Sequence, residues 1–228
     1  MKIGIIVAMG KELKLLLNLI ENRTEQEVNG YKIHFGKIGK HEVCAMQCGI
    51  GKVNAAIGTL SMINTFTPDL VINTGVAGGA DLSIKQMDIV VGSQIAYHDV
   101  WCGPGTEYGE AAGYPLYFES DATIINLIKG MKLNEQIKFG LICSGDKFIA
   151  SVEEVNEIKS HFSNALAVDM ESASISHVCK MKSVPVFIMR VISDTPGAEH
   201  DNVSQYENFW ESAPEHTFIT LSNILENI

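Results

Sequence analysis

Short apolar runs rich in β-branched residues alternate with stretches of helical periodicity along the whole chain, and this alternation restricts the fold to the α/β class. Strands are predicted over Ile3 to Val7, Tyr31 to Lys37, Glu42 to Gln47, Asp69 to Asn73, Asp88 to Tyr97, Lys138 to Cys143, Leu166 to Asp169 and Val186 to Ile192, from Val/Ile content and the turn signals at their ends. Ile38-Gly39-Lys40-His41 joins two of these runs at a distance that suits an antiparallel hairpin, so the sheet is expected to be mixed. Leu13, Leu16, Leu17 and Ile20 recur at helical spacing, as do Val53, Ala56, Ile57 and Leu60, and both stripes are expected to face the core. Further helices are predicted over Asp121 to Met131, Val152 to Ser160, Glu171 to Lys180 and Ser204 to Glu226.

At 228 residues and 46% hydrophobic content, one domain spanning 1–228 can bury its own core. The formal net charge of -10 argues against a nucleic-acid partner, which would call for clustered Lys and Arg. The apolar start at Ile3 is interrupted by Lys11 and Glu12, and no apolar stretch approaches the roughly 20 residues of a membrane span. A cytoplasmic protein with a small-molecule partner and no membrane partner is expected. The five cysteines are an odd set without a CxxC pair, which suits reduced thiols, and His98, Asp99 and Cys102 match no zinc spacing, so no metal is expected.

Several chemical motifs fail on inspection. Gly49-Ile50-Gly51-Lys52 lacks the Walker pattern, having Met46 and Val53 where Gly and Ser or Thr are needed, and no dinucleotide fingerprint is complete, since Asn54 and Ala77 stand where glycines belong. Ser144-Gly145-Asp146 lacks a nucleophile elbow. Gly75-Val76-Ala77-Gly78-Gly79 follows a predicted strand, and either lets a ligand approach the backbone or makes a tight turn with positive φ. Asp99 to Leu116, rich in Gly and Pro but carrying Trp101, Tyr108 and Tyr114, reads equally as a binding or interface loop and as a packed surface excursion. Three carboxylates, Glu12, Glu171 and Asp194, each fall at or just beyond a strand's carboxyl end; they suit acid–base work in a shared cleft, or simple support of helix N-termini.

Taken in order, Lys2-Ile3-Gly4-Ile5-Ile6 with Ala8-Met9 and Glu12, Gly49 to Val53, Asn73-Thr74-Gly75 with Ala77-Gly78-Gly79, Asp88 to Val91, Tyr97-His98-Asp99, Ser144-Gly145-Asp146 with Phe148-Ile149, Val168 to Glu171, and Arg190 with Ile192-Ser193-Asp194 closely resemble the 5′-methylthioadenosine/S-adenosylhomocysteine nucleosidases of the nucleoside phosphorylase superfamily. The resemblance implies a three-layer sandwich around a central mixed β-sheet. It implies hydrolysis of an adenosine N-glycosidic bond in methionine salvage, no cofactor, and a homodimer whose neighbouring subunit completes the 5′ pocket.

It also implies roles for particular residues. Asp194, beside Ser193, would protonate adenine N7, and Glu12 would activate water, with Arg190 nearby to hold Glu12 or the water. Phe148 would stack on adenine while backbone groups near Ile149 read its edge. Glu171 would accept the ribose hydroxyls, with Met170 packed on the sugar. Met9, Ile50, Val76, Ala77, Gly78 and Tyr206 complete the implied substrate-binding set. Departures fall at Val76, where many members have Ser, at Gly10 and Lys11, and in the loop Val100 to Tyr114; that loop and the region of Tyr206 and Phe209 are expected to wall the 5′ pocket.

Overall fold

A computed structural model describes residues 1–131, 136–196, 201–212 and 216–228. The chain begins with strand β1 (Lys2–Val7), whose last five residues are buried, and turns into helix α1 (Gly10–Leu16). Strands β2 (Glu21–Val28), β3 (Tyr31–Ile38) and β4 (His41–Gln47) follow as antiparallel neighbours, with the expected hairpin at β3–β4 in the register Ile33 to Met46. Then come α2 (Lys52–Phe66), β5 (Leu70–Gly79), β6 (Ile89–Tyr97), the two-residue β7 (Phe118–Glu119), α3 (Ala122–Gly130) and β8 (Ile137–Ser144). The chain continues through α4 (Val152–His161), β9 (Ala165–Asp169), α5 (Ser172–Lys182), β10 (Val186–Asp194), α6 (Asn202–Ser212) and α7 (His216–Asn227). The predicted helix from Ser204 to Glu226 thus corresponds to α6 and α7, with 213–215 outside the described residues.

All these strands join one mixed sheet in the order β10-β6-β8-β9-β5-β1-β4-β3-β2, with β7 on β6. Because β10 also pairs with β5 in parallel, the strands β5, β10, β6, β8 and β9 close into a ring, which the sequence pattern did not reveal. Apolar residues of α1, α3, α6 and α7 pack on one side of the sheet and those of α2 and α5 on the other, which makes the expected three layers. Each buried Val, Leu or Ile in these layers stabilises the fold by about 1.5–3 kcal/mol relative to its exposed state. No helix among the described residues is long and apolar enough to cross a membrane.

Two expectations are corrected, and one strand carries no sequence signal. The α2 stripe is not core: Val53, Ile57 and Leu60 are 68%, 54% and 38% exposed. The helix instead turns Ala55, Gly58 and Thr59 inward, because it lies so close to the strand end at Cys48 that a Cβ on Gly58 would stand 2.7 Å from Cys48 Cβ. Gly75 to Gly79 is not a tight turn but the second half of β5, in which Gly78 and Gly79 pair with Val168 and Ala167 of β9, and Val76, Ala77 and Gly78 line the cleft described below. Strand β2 was missed altogether: Glu21–Val28 is exposed along nearly its whole length at the sheet edge, so it carries no alternation to find.

Candidate active site

Strand ends of β1, β5, β9 and β10 meet the loops after β4 and β8 around a cleft of about 640 Å³, mouth included. Every residue of the implied substrate-binding set lines it: Met9, Ile50, Val76, Ala77, Gly78, Phe148, Ile149, Met170, Glu171, Ser193 and Tyr206. So do Glu12 and Asp194. Ala8, Lys147, Val168 and Asp169 also line it, although the sequence reading gives none of them a role in the site.

Glu12 sits at the third position of α1 and is 2% exposed. Its Oε2 accepts the backbone N–H of Ala8 at 3.0 Å and of Met9 at 2.9 Å, as a capping-box glutamate does. Its Oε1 accepts the N–H of Val76 from β5 at 3.1 Å. Gly75 makes this approach possible: its φ is +151°, and a Cβ there would collide with Glu12 Oε1. Burial raises the Glu12 pKa above the usual carboxylate range, opposed in part by the Met9 N–H and the charge of Arg190.

Asp194 ends β10, where the pairing with β5 shifts register between Ile192 and Asp194. Such a bulge interrupts strict alternation, and both Ser193 and Asp194 line the cleft. Ser193 Oγ donates to Asp194 Oδ1 at 2.6 Å, and Asn202 Nδ2 donates to Oδ2 at 3.3 Å. Burial raises the Asp194 pKa, and these two donors offset part of the rise. Asn202 gave no signal in the sequence, because its link to Asp194 depends on how α6 returns to the cleft.

Glu171 stands at the N-cap position of α5, is 7% exposed, and turns its carboxylate to accept the Gly51 N–H at 2.9 Å. Burial first, and then the charge of Asp169, push its pKa up to about 7. The Gly49 to Lys52 loop is tied across the cleft rim: Lys52 Nζ donates to Asp99 Oδ2 at 2.7 Å and Lys52 N to Asp146 Oδ1 at 2.7 Å. Phe148 is 44% exposed and meets Tyr206 edge to face, with centroids 5.7 Å apart; the Tyr206 hydroxyl lies 3.3 Å from Met9 Sδ. A capping box at Ser151 and Glu154 fixes the chain just beyond Ile149, with Glu154 Oε2 accepting the Ala150 N–H at 2.7 Å.

Arg190 differs from the expectation that it holds Glu12 or a water directly. It is 2% exposed, does not line the cleft, and donates to Asp169, Ser172, Asn73 and the Met189 carbonyl. The buried Asp169 captures the guanidinium, so Arg190 reaches Glu12 only through its field. Two parts of the expected 5′ wall are also displaced. Phe209 is 1% exposed within the core that includes α7, and the loop Val100 to Tyr114 contributes no described residue to the cleft of this chain. That loop is occupied locally, Tyr108 stacking on His161 at 3.8 Å and Tyr114 meeting His177 at 4.1 Å, while Trp101 remains 60% exposed.

Two buried carboxylates with raised pKa values, facing an apolar cleft beside a half-exposed aromatic ring, can work as an acid and a base on a bound ring system. Among the described residues no group of three or more His, Cys, Asp or Glu side chains is arranged to hold a metal ion.

Residues 2–226 match the phosphorylase superfamily. The chain is 38% identical over 231 residues to the 5′-methylthioadenosine/S-adenosylhomocysteine nucleosidase of Haemophilus influenzae, covering all of both chains. The structure of 5′-methylthioadenosine/S-adenosylhomocysteine nucleosidase from S. pneumoniae with the transition-state inhibitor MT-ImmA superposes with a TM-score of 0.93 at 38% identity, over 100% of this chain and 99% of that one. A futalosine hydrolase mutant of Helicobacter pylori superposes with a TM-score of 0.92 at 29% identity, over 100% and 99%. With its fold, its cleft and its full length all matched, the chain belongs to the phosphorylase superfamily and, within it, to the family of the 5′-methylthioadenosine/S-adenosylhomocysteine nucleosidases.

Proposed function

We propose that this protein hydrolyses the N-glycosidic bond of 5′-methylthioadenosine and S-adenosylhomocysteine, and of 5′-deoxyadenosine, releasing adenine and the 5-substituted ribose. The observation that carries the reading is the pair Glu12 and Asp194, both buried in one cleft and held in two different hydrogen-bonding environments. The names of the Haemophilus and S. pneumoniae relatives support the same chemistry.

Adenine leaves poorly as an anion. Asp194 gives its proton to N7 as the C1′–N9 bond breaks, so that the base departs neutral, and the raised pKa of this carboxyl favours the protonated form required. The sugar passes through an oxocarbenium-like state. A water oxygen bonds to C1′ while Glu12 takes the water's proton, and the backbone N–H groups of Ala8, Met9 and Val76 keep that carboxylate aimed. Phe148 stacks on the base, Ile149 reads its edge, and Glu171 accepts the 2′ and 3′ hydroxyls with Met170 against the ribose. Arg190 acts as a positioning residue: it locks Asp169, and its charge favours the ionised form of Glu12.

A phosphorolytic enzyme would seat a phosphate where the water attacks, beside the Glu12 carboxylate, and like charges in a buried cleft repel. Measuring adenine release from methylthioadenosine with and without inorganic phosphate tests the reading: release without phosphate is expected, and dependence on phosphate overturns hydrolysis. The likeness to the Helicobacter futalosine hydrolase supports adding an aminofutalosine-type substrate to the assay, since it presents the same adenine and ribose.

The reading extends to a homodimer in the cytoplasm acting in methionine salvage. Val53, Ile57 and Leu60 make an exposed apolar stripe on α2, and Trp101 and Met181 are similarly exposed, which suits a surface covered by a second copy. The free cysteines, four of the five buried, suit a reducing compartment.

A further inference from the structure

Gly51, the N-cap of α2, has no side chain with which to satisfy the first N–H groups of the helix. The cap comes from another loop. Asp146, which follows β8, accepts the Lys52 N–H on Oδ1 at 2.7 Å, and its own N–H donates to Asp99 Oδ2 at 2.8 Å. Lys52 Nζ closes the circuit, 2.7 Å from Asp99 Oδ2 and 3.9 Å from Asp146 Oδ2. Glycine is needed at position 51, since its φ is +93° and a Cβ there would stand 2.9 Å from Asp146 Oδ1. The loops after β4, β6 and β8 are thereby braced together by Lys52, Asp99 and Asp146, none of which lines the cleft.

The preceding N–H serves a different carboxylate. Gly51 N–H, one residue before the capped Lys52, donates to Glu171 Oε1 at 2.9 Å, and Glu171 does line the cleft. Because the two donors belong to adjacent residues, fixing one fixes the other. Gly49 and Gly51 both have positive φ, +94° and +93°, so without the brace this segment would regain the freedom that glycine confers. We propose, resting on the assignment of the ribose hydroxyls to Glu171, that Asp146 is a positioning residue for the sugar. Aided by Lys52 and Asp99, it holds the Gly51 N–H on one oxygen of Glu171 and so keeps the other turned to the 2′ and 3′ hydroxyls.

A carboxylate that accepts a fixed N–H on one oxygen has a defined rotation, and the donor also favours its ionised form. The second effect counts here because burial and then the charge of Asp169 push the Glu171 pKa up to about 7, with Glu12 adding to the rise and the Gly51 N–H and Arg190 opposing it. Cys48 and Tyr206 also feel the Glu171 charge but stay neutral in this range, burial having pushed the thiol up to about 12 and raised the phenol as well. When the Gly51 N–H drifts away, the Glu171 carboxyl is protonated over more of the neutral range. A protonated carboxyl carries a donor of its own and is a poorer acceptor for two sugar hydroxyls. An ion-paired brace outside the cleft thereby reaches the recognition of the ribose inside it.

The test is titration calorimetry with a C-nucleoside analogue of methylthioadenosine, whose base cannot be cleaved, and with its 2′-deoxy counterpart, between pH 5 and pH 8. The ratio of the two affinities isolates the 2′ hydroxyl, since both compounds meet Glu12 and Asp194 alike. Wild type is expected to prefer the riboside increasingly as pH rises through about 7. In Asp146→Ala the preference at pH 7 should fall about 10-fold, the scale of one hydrogen bond to a charged group, and its rise should move to higher pH. Asp146→Asn, whose amide oxygen can still accept the Lys52 N–H, should restore the wild-type ratio. Lys52→Met removes the cation but not the cap, and should move the ratio in the same direction as Asp146→Ala by a smaller amount. An unchanged ratio and pH dependence in Asp146→Ala overturns this inference alone, as does an unchanged ratio in Lys52→Met should Asp146→Ala fail to fold. So does an Asp146→Asn ratio no better than that of Asp146→Ala. Wild type that binds the two analogues equally at every pH removes the sugar assignment of Glu171, and the inference with it.

Discussion

Arg190 Nε stands 2.9 Å from Asp169 Oδ2, and the two side chains are 2% and 1% exposed. The pair lies directly behind the cleft: Asp169 forms part of the wall, and Arg190 also reaches Ser172 and Asn73. Removing one member leaves the other charge buried without a partner. Arg190→Met is therefore expected to cost about 3–5 kcal/mol of stability, read as a lowered denaturant midpoint. A midpoint within experimental scatter of wild type would show that Asp169 finds other donors.

Glu12→Gln should separate binding from turnover. Adenine release is expected to fall by a factor on the order of 10² to 10⁴, the scale of lost general-base catalysis, while a non-hydrolysable substrate analogue still binds. The substituted amide has one acceptor oxygen where three backbone N–H groups converge, so some loss of stability, about 1–3 kcal/mol, accompanies it and is measured separately by thermal melting. Near-normal turnover would remove Glu12 from the mechanism.

Asp194→Asn keeps the shape and the donor capacity of the side chain but cannot transfer a proton. Substrate analogues should bind while cleavage becomes very slow. A 7-deaza substrate removes the proton acceptor instead and should bind wild type without being cleaved. Cleavage of the deaza compound at the parent rate would rule out departure through N7.

Glu171 predicts a pH dependence of stability whose sign follows from its shift. Its folded pKa, about 7, lies above the ordinary 4.5, so its contribution is fully present below pH 4.5 and is lost as pH rises through 7. Glu171→Gln should flatten that decline, visible as a smaller drop in Tm between pH 5 and pH 8, at about 2–4 °C for each kcal/mol regained. An unchanged Tm profile would mean that the carboxylate is stabilised by groups other than Gly51 in solution.

The exposed stripe on α2 predicts assembly. Ile57→Glu, at a position 54% exposed in the single chain, should leave the fold intact and shift a dimer toward monomer in analytical ultracentrifugation. Wild type sedimenting as a monomer at micromolar concentration would refute the assignment.

The parts of the structure legible in the sequence were those written in local pattern. Buried strands such as Val186–Asp194 announce themselves by composition, and the hairpin at Gly39 by its turn. Polar strand β2 has no pattern of this kind, and the inward face of α2 is made of Ala55, Gly58 and Thr59, whose small size matters only once the sheet beneath is known. Glu12 and Asp194 stand out in the sequence as acidic residues at predicted strand ends, the resemblance attaches roles to them, and the structure places both in the cleft. What a buried residue touches across the fold is not written in local pattern. Arg190 was placed correctly in the chain, but its partner was misassigned, because Asp169 and Arg190 meet only through the packing of β9 against neighbouring strands.

The two carboxylates to which we assign the proposed chemistry differ in how easily mutation can reach what holds them. Glu12 hangs from three main-chain N–H groups, atoms that every residue except proline supplies, so few single substitutions at those positions can strip its supports away. Asp194 hangs from two side chains, Ser193 and Asn202, and each can be lost or exchanged in one step. On the proposed mechanism, heritable variation in this fold therefore has a protected end, where water would be activated, and an adjustable end, beside the leaving group. Descendants of such a protein would be expected to change the base they release long before they change the nucleophile they use.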